Sequence, residues 1–333
     1  MEILEISSTN DQHRVEGYGS ASLPENAMEG SVIKDAEAVA NTIKALLVKS
    51  NISCKHAAVA VPDSSAISKV IQINDGLSEQ EIEELVIMEA DKYIPYPIDE
   101  VNIDFNVLGP SLKNSAMLDV LIVASRAENV TSRVDVITLA GLEPKIVDVE
   151  SYAVERAAQL LASELPAGGE KKNIAIIDIG AVYTHLFVLH GMKMIFSREE
   201  EFGGKQLINS VVQHYGISTS EALLGIEQGN LPEDYTNELL QPFRESIVLQ
   251  TKRALQFFFS TSQYTYVDYI LLAGGVARQP GLAQLLQEHI NIPTSVVKPF
   301  DRMDLAKGVE RDIITRDSPM LMVACGLALR QSR

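Results

Sequence analysis

The sequence has no tryptophan, only two cysteines, and a shortage of basic residues. Its 28 lysines and arginines are outnumbered by 45 aspartates and glutamates, which gives a formal net charge of −17. This charge argues against nucleic acid or an anionic membrane surface as the main partner. Cys54 and Cys325 lie in apolar segments, and we expect both to be buried, reduced thiols.

Long apolar runs and metal-binding patterns are also missing. The most apolar window, residues 319–329, is far too short to span a bilayer, and the N-terminus lacks the pattern of a signal peptide. We therefore expect a cytoplasmic protein that reaches a membrane only through a partner. The six histidines show no ligand spacing, and the chain has neither a Gly-x-Ser-x-Gly elbow nor a P-loop.

The length and composition are typical of a globular protein with two lobes. Apolar residues make up 46% of the 333-residue chain and charged residues 22%. A chain of this length is too long for one simple core, which favours two lobes. The clearest linker is residues 164–173, which contain Pro, two Gly and two Lys.

Residues 174–184 form the most informative motif. An apolar run leads to one carboxylate, Asp178, then to a tight turn at Gly180, and a hydroxyl, Thr184, follows on the returning strand. Backbone N–H groups at such a turn can face phosphate oxygens, and the carboxylate can hold the metal ion that neutralises them. These three residues are candidates for contacts with phosphate and hydrated Mg²⁺, with Asp178 as the metal-binding residue. The alternative is a buried strand that ends in a glycine turn.

A second apolar run, residues 269–273, ends in the paired glycines Gly274 and Gly275. A turn without Cβ atoms lets the backbone approach a flat ring or a phosphate, although packing alone can also require glycine. In this order and spacing, the two motifs suggest the nucleotide clamp of the actin and sugar-kinase fold. The predicted class is therefore α/β, with an actin-like two-lobe (ribonuclease H-like) ATPase fold.

Three further residues are weaker candidates. Lys205 follows a Gly-Gly pair at the start of a predicted helix and is a candidate for contact with the adenosine end of a nucleotide, unless it is simply solvated. Arg253 lies on the predicted helix 235–260 and is a candidate for covering the adenine or ribose, with surface ion pairing as the alternative. Glu150 lies where this fold crosses between lobes, so it is a candidate catalytic residue that positions water, or otherwise a hinge carboxylate.

Residues 67–149 are predicted to form an inserted module with the element order β-α-β-β-α-β. A capping box of Ser78 and Glu81 opens its first helix, which is expected to stop at a proline-rich segment. One interpretation of that segment is a helix end packed into the core, and the other is part of a groove for an extended peptide. The candidate partner-binding residues there are Tyr93, Ile94, Pro95 and Tyr96.

Over almost its whole length, the chain resembles the PilM family, actin-like cytoplasmic proteins of bacterial type IV pilus assembly and relatives of the division protein FtsA. The stretches that carry this resemblance are residues 89–97, 147–153, 178–180, 202–206, 253–259 and 268–275. The resemblance implies four parts: a first actin-like lobe (1–66 with 146–171), an inserted partner-binding subdomain (67–145), a second lobe (172–202 with 267–333) and its small helical subdomain (203–266).

One departure from the family concerns the first lobe. PilM-like chains open with a strand of the form Ile-Asp-Ile-Ser-Ser or Ile-Asp-Ile-Gly, which forms the first phosphate turn. Here that opening strand is absent, and residues 4–18 match the family's second and third strands, although residues 5–9 could be a degenerate phosphate turn. We expect a first-lobe sheet without its central strand. Either the native start lies upstream, or half of the phosphate clamp is lost.

The resemblance also implies ligands and partners. ATP with Mg²⁺ would bridge the lobes, with at most slow hydrolysis. The N-terminal cytoplasmic tail of PilN, a single-span membrane protein, would dock between the inserted subdomain and the first lobe. Other pilus assembly proteins are further expected partners, at a peripheral position on the inner membrane. The sequence leaves open whether the chain also forms a homo-oligomer.

Two other functions remain open from the sequence. A small-molecule kinase of the same superfamily needs an acidic base beside a substrate hydroxyl and a specificity pocket, and we find no such set of residues. An FtsA-like filament-forming adaptor carries a C-terminal amphipathic membrane helix, whereas residues 318–330 are predicted to form an apolar, core-type helix.

Overall fold

The computed structural model describes residues 1–9, 12–111, 114 and 116–330. The strands are β1 (Glu2–Thr9), β2 (Gln12–Ser20), β3 (Met28–Glu29), β4 (Val32–Ile33), β5 (His56–Val61), β6 (Ala66–Asn74), β7 (Val101–Pro110), β8 (Met117–Arg126), β9 (Glu143–Val149), β10 (Asn173–Ile179), β11 (Thr184–His190), β12 (Lys193–Glu200), β13 (Tyr269–Ala273), β14 (Thr294–Val296) and β15 (Asp304–Leu305). The α-helices are α1 (Ala36–Lys49), α2 (Glu79–Ala90), α3 (Ala127–Leu139), α4 (Glu150–Ala158), α5 (Gly204–Tyr215), α6 (Thr219–Gln228), α7 (Gln241–Thr261), α8 (Leu282–Ile290), α9 (Arg311–Asp317) and α10 (Met322–Ala328).

The chain divides into two compact units. The first unit contains residue 1 and Ala21–Glu150, and the second contains Glu2–Ser20 and residues 151–330. Across the described ranges, no helix combines the length and apolarity that a membrane crossing requires. The four-part division expected from the resemblance stays a prediction.

The second unit is built on a five-stranded sheet with the order β12-β11-β10-β13-β14. β10 is its central strand, antiparallel to β11 and parallel to β13. Because a central strand is covered on both faces, its sequence is a continuous apolar run rather than an alternating one. Ile174 and Ile176 pack into one core, while Ala175, Ile177 and Ile179 pack into the other.

The hairpin β1–β2 also belongs to the second unit, where β2 pairs in parallel with β15. In the first unit, β5 and β9 form a parallel pair packed with α1 and α3. The five-stranded sheet contains the same two components, an antiparallel hairpin and a parallel pair, joined by β10. Within the described residues, β1–β2 and β5–β9 belong to separate sheets. The expected first-lobe sheet without its central strand stays a prediction.

The predicted inserted module has the expected order of elements, but its last strand pairs elsewhere. β6, β8 and β7 form a three-stranded antiparallel sheet whose inner face packs on α2. The capping box is present, since Ser78 accepts from the Glu81 N–H and the Glu81 side chain accepts from the Ser78 N–H. β9, the sixth element, instead pairs in parallel with β5, a strand that precedes the module.

Three local expectations are corrected by the structure. The predicted helix 235–260 begins with a π-helical turn, Thr236–Leu240, and α7 starts only at Gln241, where Pro242 lacks the N–H that a continuous helix needs. The predicted helix 318–330 begins as a 3₁₀ turn, Ser318–Leu321, which contains Pro319. Cys325 is buried, but Cys54 is exposed, so only one of the two expected buried thiols is buried.

Candidate functional site

The two glycine motifs lie on neighbouring strands of the five-stranded sheet. β10 and β13 run parallel, and Asp178 is in register with Ala273, the residue before Gly274. The carboxyl ends of parallel neighbours meet at one edge of a sheet, where ligands of α/β proteins bind. The acidic turn and the twin-glycine bend therefore lie side by side, as the motifs predict.

Gly274 is required by the close approach of the acidic turn. Its φ of +87° is in the region that favours glycine. A Cβ atom here would lie 2.5 Å from Asp178 Oδ1 and 2.3 Å from the carbonyl oxygen of Ile179. The Asp178 carboxylate thus packs directly against the backbone of the twin-glycine bend.

The environment of Asp178 disfavours its charged form. Asp178 is partly exposed as a residue, but burial of its carboxyl raises the pKa from 3.8 to about 6. The His185 imidazole lowers this pKa, while the negative charge of Glu2 on β1 raises it. A bound cation would reverse the effect of burial by favouring the carboxylate.

The start of α5 is fixed onto the turn that follows Asp178. The Gly204 N–H donates to the Gly180 carbonyl (3.0 Å), and the Lys205 N–H donates to the Ala181 carbonyl (2.8 Å). A Cβ atom on Gly203 would lie 2.6 Å from the Ala181 carbonyl oxygen, so only glycine permits this approach. The acidic turn, the twin-glycine bend and the α5 N-terminus therefore assemble in one unit.

The remaining candidates of the second unit differ in their placement. The Thr184 hydroxyl donates to the Phe202 carbonyl (2.7 Å), which ties the returning strand to the segment before α5. Lys205 is exposed on the first turn of α5, and Arg253 is exposed on α7. Gly275 is exposed at the bend, beside the buried Gly274.

Sequence reasoning missed a row of polar side chains that crosses three strands next to Asp178. His185 on β11 is in register with Asp178 on one side and with Glu199 of β12 on the other. The His185 Nε2 atom lies 2.9 Å from Glu199 Oε2. Residues directly opposite in an antiparallel pair share a face of the sheet. The available signal was the position of His185 directly after Thr184, but the row depends on strand register.

Glu150, the predicted catalytic residue, belongs to the first unit. Glu150 is the first residue of α4. Burial lowers the pKa of the Arg133 guanidinium, and the negative charge of Glu150 opposes this effect in part. The Arg133 guanidinium donates to the carbonyls of Ala60, Asn129 and Ser31. Glu150 thus lies near a structural arginine that joins β5, α3 and the β3–β4 turn.

The proline-rich segment after α2 also lies in the first unit. Ile94 is buried in the core beneath the three-stranded sheet, whereas Tyr93 and Tyr96 are 46% and 40% exposed. A cation lies over each ring: Lys69 Nζ is 5.0 Å from the Tyr93 centroid, and Arg126 Cζ is 5.1 Å from that of Tyr96. The segment thus combines a buried anchor, Ile94, with an exposed aromatic ledge, and peptide binding there stays a prediction.

A sequence model of the family described as type IV pilus assembly protein PilM matches residues 1–332 of the chain. The chain belongs to the PilM family. The resemblance expected from the sequence motifs is thereby confirmed across both units, and the chain is a type IV pilus assembly protein with an actin-like fold.

Three solved structures are similar to this chain to different degrees. The chain is 25% identical to a protein in the PilM–PilN type IV pilus biogenesis complex, with a TM-score of 0.80 over 99% of this chain and 94% of that one. It is 15% identical to the ethanolamine utilization protein EutJ from Carboxydothermus hydrogenoformans, with a TM-score of 0.54 over 99% of this chain and 89% of that one. The chain is 14% identical to MreB5 of Spiroplasma citri bound to ADP, with a TM-score of 0.48 over 96% of this chain and 79% of that one.

In this PilM-family chain, the Asp178 carboxylate could hold Mg²⁺ only if a bound ligand supplied further oxygen atoms. Among the described residues, no group of three or more His, Cys, Asp or Glu side chains could hold a metal ion. Mg²⁺ usually keeps several waters and binds through one or two carboxylates plus substrate phosphates. The single carboxylate of Asp178 beside the twin-glycine bend matches that pattern.

Proposed function

We propose that this PilM-family chain is a cytoplasmic adaptor of the pilus assembly complex that binds Mg·ATP and the N-terminal tail of PilN. It would lie peripherally at the inner membrane through that partner. The observation that supports nucleotide binding most strongly is the packing of the Asp178 carboxylate against Gly274, beside the start of α5. ATP would supply the phosphate oxygens that complete a hydrated Mg²⁺ site, with Gly180 and Gly275 near them and Thr184 holding the returning strand.

Hydrolysis is expected to be slow at most. Glu150 is the proposed residue for positioning water, and Lys205 and Arg253 are proposed contacts of the adenosine end. The Glu150→Gln variant should retain ATP binding and lose whatever turnover the wild-type protein shows. An unchanged turnover rate would remove Glu150 from the mechanism.

Nucleotide titration tests the first part of the proposal. The full chain should bind a fluorescent ATP analogue in the presence of Mg²⁺, and unlabelled ATP should displace it. Chelation of Mg²⁺ should weaken binding because the phosphate charge then faces the Asp178 carboxylate without a cation. A wild-type protein that binds no nucleotide at millimolar ATP with Mg²⁺ would overturn this part.

The aromatic ledge, defined as Tyr93 and Tyr96 with their stacked cations, supports the second part. Tyrosines are frequent in binding sites because they supply a large, rigid apolar area and a polar end. Ile94 is buried and Pro95 fixes the chain between the two rings, so the ledge is held in place before a peptide binds. We propose PilN as the peptide that binds the ledge, because a solved structure similar to this chain is that of a PilM–PilN complex.

Peptide binding with matched tyrosine variants tests this assignment. A synthetic PilN tail should bind the full chain, and Tyr93→Ala and Tyr96→Ala should each weaken binding by about tenfold, the effect of losing about 1–2 kcal/mol at an interface anchor. Tyr266→Ala is the control, because Tyr266 is 58% exposed in the second unit. Equal effects from all three variants, or none from the ledge variants, would exclude the ledge.

A further inference from the structure

A cavity of about 370 Å³ in the second unit has no role in the arrangement described so far. Three segments that are distant in the chain line it: the start of β2, the 3₁₀ turn Gln159–Glu164 after α4, and the stretch from Lys298 to Asp304, where β15 begins. The candidate residues of the nucleotide site are not among its described lining residues. Its volume is near the lower end of the range for small-molecule sites, about 300–1,000 Å³, so it suits a ligand smaller than a nucleotide.

Two cations of the stretch that precedes β15 line the cavity. Lys298 and Arg302 are both exposed and lie four residues apart. In the part of the chain that the structure describes, neither side chain forms a hydrogen bond or a salt bridge. His13, at the start of β2, also lines the cavity, and its Nδ1 atom lies 2.8 Å from the Ser8 hydroxyl oxygen. Lys298 and Arg302 can therefore bind an anionic group of a ligand through charge-assisted hydrogen bonds.

Two carboxylates line the same cavity. Glu164 ends the 3₁₀ turn, and Asp304 is in register with Arg14 of β2, the residue after His13. Both carboxylates are exposed, and across the described residues neither has a hydrogen bond or a salt bridge. Opposite charges thus line one cavity without pairing directly. Each of them can bind a group of the opposite sign on a ligand.

Three apolar side chains complete the cavity. Met303 is 4% exposed and Pro299 is buried, while Leu160 is half-buried and packs against the same core as Met303. These side chains offer a small apolar surface beside the charged groups. The cavity therefore suits a charged ligand that also carries an apolar side group.

The signs of the charges decide between ligand classes. A simple anion would meet Lys298 and Arg302, but Glu164, Asp304 and the net charge of −17 would repel it. A simple cation would have the reverse mismatch at the two basic side chains. A zwitterion satisfies both signs, and because it has no net charge, the field of the whole chain does not repel it.

We propose that this cavity binds a small zwitterion with an apolar side group, of the class of free amino acids. Lys298 and Arg302 bind its carboxylate. Glu164 and Asp304 bind its ammonium group, and the side group packs on Met303. Charged groups of both signs then favour the zwitterion over ligands that carry only one of the two charges.

Four matched ligands test this class. Equilibrium dialysis of the full chain with radiolabelled L-leucine should show saturable binding. Glycine has both charges but no side group, N-acetyl-leucine lacks the ammonium charge, and leucinamide lacks the carboxylate. Each should compete about tenfold less well than leucine, because each loses one of the three contacts.

Uncharged variants assign each contact to a side chain. Arg302→Gln should weaken the binding of leucine and N-acetyl-leucine by about tenfold and leave that of leucinamide unchanged. Glu164→Gln should weaken leucine and leucinamide by about the same factor and leave N-acetyl-leucine unchanged. Lys298→Gln should follow the pattern of Arg302→Gln, and Asp304→Asn that of Glu164→Gln.

Two further variants are the controls. Lys307 and Glu170 are exposed in the second unit but do not line the cavity. Lys307→Gln and Glu170→Gln should therefore change each affinity by less than about twofold. Thermal melting checks that every variant is folded.

Four results would overturn the proposal. Leucine that shows no saturable binding at millimolar concentration would exclude an amino-acid site. N-acetyl-leucine or leucinamide that competes as well as leucine would mean that the cavity recognises one charge only. Leucine binding that none of the four cavity variants weakens would place the ligand elsewhere. Equal losses in the two control variants would make the effect one of net charge rather than of this cavity.

Discussion

The charge of one residue, Asp178, should contribute to the way the protein's stability depends on pH. Its pKa of about 6 in the folded protein exceeds the ordinary value of 3.8, so the folded state binds a proton more tightly than the unfolded state does. This contribution to the free energy of unfolding is fully present below pH 3.8 and falls as the pH rises to about 6. A shift of roughly two units corresponds to at most about 3 kcal/mol.

The Asp178→Asn variant should remove this penalty. In EDTA and without nucleotide, we expect it to be more stable than the wild-type protein at pH 7.5, with a difference that shrinks toward pH 4. Urea denaturation across that range measures the effect. With Mg·ATP the order should reverse, because only the carboxylate can hold the cation. A stability difference independent of pH would contradict the assignment.

Gly274 offers a second test at the residue scale. Gly274→Ala would place a Cβ atom 2.3 Å from the Ile179 carbonyl oxygen at a φ of +87°, so we expect a loss of more than about 3 kcal/mol of stability. Gly229→Ala is the control, since its φ is +66° but nothing lies within 4 Å, and it should lose about 1–2 kcal/mol. Thermal unfolding distinguishes the two. Equal losses would mean that the bend relaxes around the added methyl group.

The sequence predicted those parts of the site that are formed by short, continuous stretches of the chain. The strand that ends at Asp178 and the turn at Gly274 are each visible as an apolar run followed by glycine, and parallel pairing brings them together. The ion pair between Arg278 and Asp317 was not visible, because the two residues are 39 positions apart in the chain. The exposure of Tyr93 and burial of Ile94 likewise depend on which side of the segment meets the sheet.

At the scale of elements, the contact between α4 and α10 depends on a single glycine. A Cβ atom on Gly326 would lie 1.7 Å from the Ala153 carbonyl oxygen, so the two helix backbones touch. Glycine to alanine in a helix normally stabilises by about 1 kcal/mol. Here Gly326→Ala should instead destabilise by several kcal/mol, because the obstacle is backbone that can move only if a helix moves.

A second helical glycine provides the comparison. A Cβ atom on Gly225 in α6 would lie 2.6 Å from Leu231 Cδ2, a side-chain atom that can rotate away. Gly225→Ala should therefore cost less than Gly326→Ala, as measured by the midpoint of thermal unfolding. If Gly326→Ala proved the milder of the two, the close approach of α4 and α10 would not be what limits this position.

Element pairing marks another limit of sequence reasoning. The order of elements in the inserted module was predicted, but the pairing of its last strand, β9, with β5 was not. Periodicity identifies a strand, whereas its partner is chosen by tertiary packing, here against α1 and α3. Pro242 is a sequence signal for the later start of α7. The prediction overlooked it because the apolar residues of the segment continue at helical spacing on both sides of the proline.

For the whole molecule, we expect the nucleotide and the PilN tail to influence each other's binding. If ATP changes the affinity for the tail by some factor, the tail must change the affinity for ATP by the same factor, because both belong to one thermodynamic cycle. Coupling of this kind is typically 5- to 150-fold. Calorimetric titration of the full chain with each ligand, alone and with the other saturating, should give two equal ratios of affinity that exceed one.

Variants of two residues test the origin of this coupling. Asp178→Asn should reduce both affinity ratios together, since it weakens the Mg-dependent contact, while Tyr266→Ala should leave both unchanged. Two ratios equal to one would mean that the chain binds both ligands independently, and nucleotide would then have no part in regulating assembly through PilN.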